Sequence, residues 1–140
     1  MDKHKIYDAT NEEKDYITRQ LIKFNHINLR FKQEPASLRI SRCIRNGNEV
    51  IGGILAEVYW GVVFIDILWV NEEYRNKGYA SALLSDVENT AKENNCNLCH
   101  LDTFDFQARD FYEKHGYTVF GVLEDCPEGH NRFYMSKKLV

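Results

Sequence analysis

Ala80, Leu83, Leu84, Val87 and Ala91 recur at i, i+3, i+4, i+7 and i+11, the spacing that lines one face of an α-helix. Apolar runs stand on both sides of it. The preceding "VVFIDILWV" is apolar on both faces, as a central strand covered above and below must be. The following "NLCHLDTF" also reads as a strand. Strand, long helix and strand in succession imply a right-handed parallel crossover. That unit commits the chain to an α/β fold with a mixed sheet.

The flanking segments extend this plan. Residues 4–9 read as a first strand. "TNEE" reads as a capping box, with Thr10 as N-cap and Glu13 three residues on. Ile17, Leu21 and Phe24 continue it as a helix, and a less regular stretch runs to Pro35. Residues 37–60 form a hairpin about the turn signal "NGNE", and Gly61 offers a second turn. Ala108, Phe111, Tyr112 and His115 mark a short helix, with Asp105 near its start and Gly116 just past its end. "YTVFGVL" and "NRFYMSKKL" are closing strands around "EDCPEGH". The expected order is β-α-β-β-β-α-β-α-β-β, in one domain over residues 1–140.

A chain of 140 residues buries a core without disulfide help. Its net charge of −3 lacks the electrostatic footprint of a nucleic-acid binder. No apolar run approaches a membrane span, and "MDKHKIYDAT" has no signal-peptide core, so a cytoplasmic location is expected. Cys96 and Cys99 form one CxxC without a second close pair. Zinc needs about four ligands, and the pair stands where a helix ends rather than begins. Reduced structural cysteines, and no metal, are expected.

The junction "VNEEYRNKGYA" lies where the central strand gives way to the helix. First-turn N–H groups have no intrahelical partners, and the helix dipole adds positive potential there. Gly78 lets a ligand approach the backbone, Ala80 keeps the first turn uncrowded, and Arg75 and Lys77 add charge. Spacing alone leaves a diphosphate cradle and an ordinary connection equally open. Neither GxxxxGK[ST] nor GxGxxG is present.

"RNKGYA", Arg75 to Ala80, resembles the R/Q-x-x-G-x-G/A signature of the GNAT acyltransferase superfamily, and "ARDFYEKHGY" resembles that family's second block. The motifs cover residues 62–121, and the wider strand order covers nearly the whole chain. The resemblance implies a three-layer sandwich whose parallel fourth and fifth strands splay apart, with acetyl-coenzyme A as co-substrate. It implies that the backbone of Leu68, Trp69 and Val70 meets the pantetheine arm. Arg75, Asn76, Lys77, Gly78, Tyr79, Ala80 and Ser81 would then hold the diphosphate. Tyr112 falls on the family's tyrosine, which protonates the departing thiolate, with Phe111 packed in the core beside it. Many members carry Asn where this chain has Asp105. An ionised carboxylate only accepts hydrogen bonds, so Asp105 is expected to cap its helix instead.

Acyl transfer to an amine needs a group to take the ammonium proton. Asp66, inside an otherwise apolar strand, is the candidate. Burial there would raise its basicity, and it aligns with the glutamate some members use. A purely structural Asp66, or a water relay, stays open, and Glu57 is the second choice. His100 is expected on a strand face, His115 at a helix end, and His130 in a turn near the acceptor. The implied function is N-acetyl transfer to a primary amine by direct attack, with a small cationic amine favoured. Glu57, Asp66, Asp125 and Glu128 could supply an acidic pocket, and Tyr59, Trp60 and Trp69 an apolar wall. A peptide amine stays open, as does a degenerate acyl-coenzyme A sensing module. A homodimer is an expectation from the family alone.

Overall fold

The computed structural model describes residues 4–29 and 37–140. They fall into two compact units, within residues 1–32 and within residues 33–140. In the first, helix α1 (Asn11–Asn28) opens on the expected capping box. Thr10 Oγ1 accepts the Glu13 N–H at 3.1 Å, and Glu13 Oε1 accepts the Thr10 N–H at 2.9 Å. Those two bonds hold the Glu13 carboxyl below its ordinary range. The strand expected over residues 4–9 does not form: they take no regular structure among the described residues, and Ile6 is 99% exposed. A lone extended segment without a ladder has neither hydrogen bonds nor a covered face to hold it. The irregular stretch expected up to Pro35 lies almost wholly outside the described residues.

The second unit contains strands β1 (Leu38–Asn46), β2 (Glu49–Tyr59) and β3 (Val62–Val70), a 3₁₀ turn (Glu72–Tyr74), helix α2 (Tyr79–Glu93), strand β4 (Leu98–Phe104), helix α3 (Arg109–Lys114), and strands β5 (Thr118–Leu123) and β6 (Arg132–Lys138). The sheet runs β1-β2-β3-β4-β6-β5. Among the described residues only β3 and β4 pair in parallel, as expected of the crossover. The expected fourth and fifth strands are thus β3 and β4. Trp60 and Gly61, both at positive φ, turn β2 into β3 in a two-residue loop of the primed kind that matches strand twist.

Helix α2 packs on β1, β2 and β3 through Leu83, Leu84, Val87 and Ala91, four of the five residues that predicted it; all are buried. Strand β4 alternates strictly, burying Cys99, Leu101 and Thr103. One polar cluster sits in this core. The Tyr117 hydroxyl lies 2.7 Å from Glu88 Oε2 and 3.0 Å from Cys99 Sγ, and Lys137 Nζ reaches both Glu88 oxygens at 3.0–3.1 Å. Cys96 and Cys99 are free and buried. Burial pushes the Cys99 thiol up to about 12, an inert sulfur. No group of side chains with metal-ligand character occurs among the described residues.

Two details of the sheet open a space beside β3. The ladder between β3 and β4 covers only Val62–Ile65 against Leu98–Leu101. Beyond it the strands part, and β3 continues to Val70 paired on the β2 side alone. At the parting point β3 bulges: Ala56 faces Ile65 and Leu55 faces Ile67, leaving Asp66 as the extra residue.

Candidate active site

A groove of about 1060 Å³ follows the gap between the parted strands. Its walls bring together Asp66, Leu68, Trp69 and Val70 of β3, Arg75, Asn76, Gly78, Tyr79, Ala80 and Ser81 at the start of α2, and Tyr112 of α3. Of the residues expected to hold the cofactor Lys77 alone is outside the lining; its ammonium lies 5.5 Å from the centre of the Tyr74 ring.

The start of α2 is open. Its N-cap, Gly78, stands at φ +84 with no side-chain cap, and a Cβ built there would meet nothing within 4 Å. Asn76 is also left-handed, at φ 60. The first bond into the helix runs from the Ala82 N–H to the Gly78 carbonyl at 3.0 Å. The N–H groups of residues 76–81 find no protein acceptor among the described residues. Successive free N–H groups around left-handed residues make an anion-binding concavity, reinforced by the helix dipole. No acidic side chain occupies the first turn of α2 to compete. Arg75 turns its Nε back to the Val70 carbonyl at 3.1 Å, clamping the loop to the end of β3 and occupying that carbonyl.

Ser81 is held by a residue the sequence did not assign to the site. Its Oγ lies 2.9 Å from His115 Nε2, while His115 Nδ1 lies 2.8 Å from the Phe111 carbonyl. A carbonyl only accepts, so Nδ1 donates to it. In the neutral ring Nε2 then accepts the Ser81 proton. The His115 and Phe111 rings lie 4.4 Å apart. The helix ends as expected: Gly116 N–H bonds the Glu113 carbonyl and Tyr117 N–H the Tyr112 carbonyl, at 3.1 and 3.0 Å, with Gly116 at φ 91, a Schellman motif.

Tyr112 is 6% exposed, with ring centres 5.2 Å from Phe111 and 5.7 Å from Tyr117. Its hydroxyl has no hydrogen-bond partner among the described residues, whereas the Tyr117 hydroxyl has two. A buried tyrosine hydroxyl usually finds a partner. Burial raises the Tyr112 phenol to about 12, so it keeps its proton across neutral pH.

Asp66 departs from expectation. The bulge turns it to solvent, and it is exposed, so the burial expected to raise its basicity is absent. Glu57 does not line the groove; it takes the Ser37 hydroxyl at 2.5 Å. Asp125 and Glu128 are outside the lining too, and Asp125 Oδ1 accepts the Gly129 N–H at 3.2 Å. Of the three aromatic residues expected as a wall only Trp69 serves; Tyr59 and Trp60 lie edge to face, 5.5 Å apart, at the β2–β3 turn.

Asp105 does not cap α3. The N-cap is Ala108, whose N–H bonds Thr103 Oγ1 at 3.3 Å, and Gln107 Oε1 takes the Phe104 N–H at 3.0 Å. Asp105 reaches across to the β5–β6 loop instead. Its Oδ2 accepts the Asn131 N–H and its Oδ1 meets His130 Nδ1, both at 2.8 Å. These bonds, the backbone one foremost, hold its carboxyl below the ordinary range. Asp102 is paired with Arg132 at 2.9 Å. His100 is half-buried on β4, 5.1 Å from the Phe64 ring, and burial lowers its basicity.

Comparison with known proteins identifies the architecture in which this parallel strand pair parts over an open helix N-terminus. The acetyltransferase (GNAT) family matches residues 4–117, and the chain belongs to that family. It is 34% identical over 92 residues to blasticidin-S acetyltransferase of Streptomyces morookaense, covering 65% of this chain and 68% of that protein. The crystal structure of an acetyltransferase from Bacillus cereus superposes with a TM-score of 0.89 at 39% identity, over 97% of both chains. An aminoglycoside 6′-N-acetyltransferase complexed with coenzyme A shares the fold, with a TM-score of 0.65 at 20% identity over 73% of each chain. The chain is therefore an acyltransferase. No helix among the described residues is long and apolar enough to cross a membrane.

Proposed function

We propose that the protein transfers the acetyl group of acetyl-coenzyme A to a primary amine by direct attack on the thioester, with a small cationic amine as acceptor. The observation that carries this reading is the run of free N–H groups over residues 76–81, joined by one groove to the unpartnered Tyr112 hydroxyl. One end suits a diphosphate; the other suits a departing thiolate. Coenzyme A supplies both, together with an amide-bearing arm that matches the open edge of β3 from Asp66 to Trp69.

In this reading the N–H groups of residues 76–81 bind the diphosphate, with Arg75 bracing the loop and Lys77 adding charge at the rim. The backbone of Leu68 and Trp69 orients the arm as an added strand would be oriented. Tyr112 donates its proton to the thiolate sulfur as the carbon–sulfur bond breaks. Asp66 has no ion-pair partner among the described residues, so its charge is available to draw in an ammonium group. A small-molecule acceptor is in keeping with blasticidin-S acetyltransferase, named for its substrate.

Two measurements test the reading. Coenzyme A should raise the melting temperature, since a ligand that binds only the folded state stabilises it. Spermidine, kanamycin and blasticidin S, each supplied with acetyl-coenzyme A, should be compared for release of free thiol. No thermal shift at millimolar coenzyme A, or no amine-dependent thiol release, removes it.

A further inference from the structure

Direct attack requires a neutral amine, and Asp66 is exposed rather than buried in the groove. A second pair, beside the same groove, has the arrangement of a general base. Asp105 and Phe106 line the groove, and His130, itself outside the lining, is held against both. Its Nδ1 lies 2.8 Å from Asp105 Oδ1, and its ring meets Phe106 edge to face with centres 4.9 Å apart. Phe106 in turn stacks on Phe104, centres 5.4 Å apart at 5°.

The carboxylate is itself fixed. Its second oxygen accepts the Asn131 N–H at 2.8 Å, and the Asp105 N–H bonds the Asn131 carbonyl at 3.0 Å. An ionised carboxylate can only accept, so the proton of the neutral ring resides on Nδ1. That leaves Nε2 as a lone-pair nitrogen with no protein partner among the described residues. The His130 side chain is 46% exposed, so an incoming amine can reach it. A carboxylate that fixes the tautomer and orientation of an imidazole, with the opposite nitrogen free, is the recurring construction of a histidine base.

Resting on the N-acetyltransferase reading above, we infer that His130 is the catalytic base that takes the acceptor's ammonium proton, and that Asp105 is its positioning residue. The ammonium gives one proton to His130 Nε2, and the resulting lone pair forms the carbon–nitrogen bond. The carbon–sulfur bond breaks, and the thiolate takes the Tyr112 proton. The second proton shed by the attacking nitrogen restores the Tyr112 phenol, and His130 returns its proton to water. One proton is released per turnover, as amide formation from an ammonium requires. The other charged groups on the segments that carry the pair are Asp102, Arg109 and Asp110 near Asp105, and Glu124, Asp125, Glu128 and Arg132 near His130; Arg109 is paired with Glu113. Asp102 and Arg132 neutralise each other at 2.9 Å.

The test uses whichever of spermidine, kanamycin and blasticidin S the wild type acetylates fastest. His130→Ala should lower kcat by about 10²–10⁴-fold, the range of a lost general base, while the thermal shift given by coenzyme A stays at the wild-type value. Added imidazole should restore part of the rate. The acid limb of the wild-type pH–rate profile should vanish in the variant. Asp105→Asn should retain coenzyme A binding and lose less rate than His130→Ala, with no rescue by imidazole. Wild-type rate and an unchanged acid limb in His130→Ala would overturn the inference and leave the acetyltransferase reading standing. If the wild type binds coenzyme A but acetylates none of the three amines, the N-acetyltransferase reading fails, and this inference with it.

Discussion

Tyr112 and Tyr117 have ring centres 5.7 Å apart and are both buried, yet removal of their hydroxyls should move stability in opposite directions. The Tyr117 hydroxyl bonds the Glu88 carboxylate at 2.7 Å and approaches Cys99 Sγ at 3.0 Å. A hydrogen bond to a charged group contributes about 1.5–3 kcal/mol. Tyr117→Phe should therefore cost about 2 kcal/mol, or roughly 7 °C of melting temperature at about 3–4 °C per kcal/mol. The Tyr112 hydroxyl has no such partner in the described residues. A buried polar group left unsatisfied costs about 1–3 kcal/mol, so Tyr112→Phe should leave stability unchanged or raise it by about 1 kcal/mol. Its kcat should fall by about 10²–10⁴-fold, as expected for loss of a general acid. Urea titration of both variants and single-turnover thiol release from Tyr112→Phe give the two readouts. A Tyr112→Phe protein as destabilised as Tyr117→Phe would mean that the hydroxyl is structural. One that turns over at the wild-type rate would mean that it is not the acid.

Neighbouring residues give further tests. The Cys99 thiol, raised from 9.0 to about 12 by burial, keeps its proton in the folded chain after the unfolded chain has lost it. Its contribution is intact below pH 9.0 and drains away as pH rises towards about 12; Cys99→Ala should flatten the onset of alkaline destabilisation, measured by urea midpoints between about pH 8 and 10.5. Gly78→Ala should cost about 1 kcal/mol for its left-handed backbone, with the free protein otherwise undisturbed because a Cβ there has open space; calorimetry should find weaker coenzyme A binding, and unchanged affinity would remove residue 78 from the cradle. His115→Ala should bind coenzyme A tighter by roughly 2–10-fold at pH 8, because the freed Ser81 hydroxyl can donate one more hydrogen bond of about 0.5–1.5 kcal/mol; weaker binding would show that the ring itself touches the ligand.

What the sequence disclosed depended on whether a signal was local. Helix α2 was legible because its five apolar residues fall within three turns, and the C-terminal end of α3 and the β2–β3 hairpin because glycines mark their turns. The splay of β3 from β4 was legible only through family resemblance, since the gap begins at an ordinary Ile65. Asp66 was misjudged for a related reason. A bulge inserts one residue and reverses the inward–outward alternation, and nothing in "VVFIDILWV" marks it. The partners of Asp105 stand 25 and 26 residues away, and that of Ser81 34 residues away. No window along the chain brings such pairs together, so Asp105 read as a local cap and His115 as a helix end. Residues 4–9, read as a first strand, hold only two large apolar residues, Ile6 and Tyr7, too few to define a buried face.

The parted strands also bear on how the protein should be handled. From Asp66 to Trp69, β3 offers an edge that no strand covers among the described residues, and Ile67 and Trp69 beside it are 49% and 46% exposed. An uncovered strand edge flanked by apolar side chains is a template for pairing with another chain. Ligand-free preparations should thus be the ones that self-associate at high concentration. Coenzyme A in the buffer should suppress this by occupying the edge, acting on colloidal behaviour as well as on catalysis.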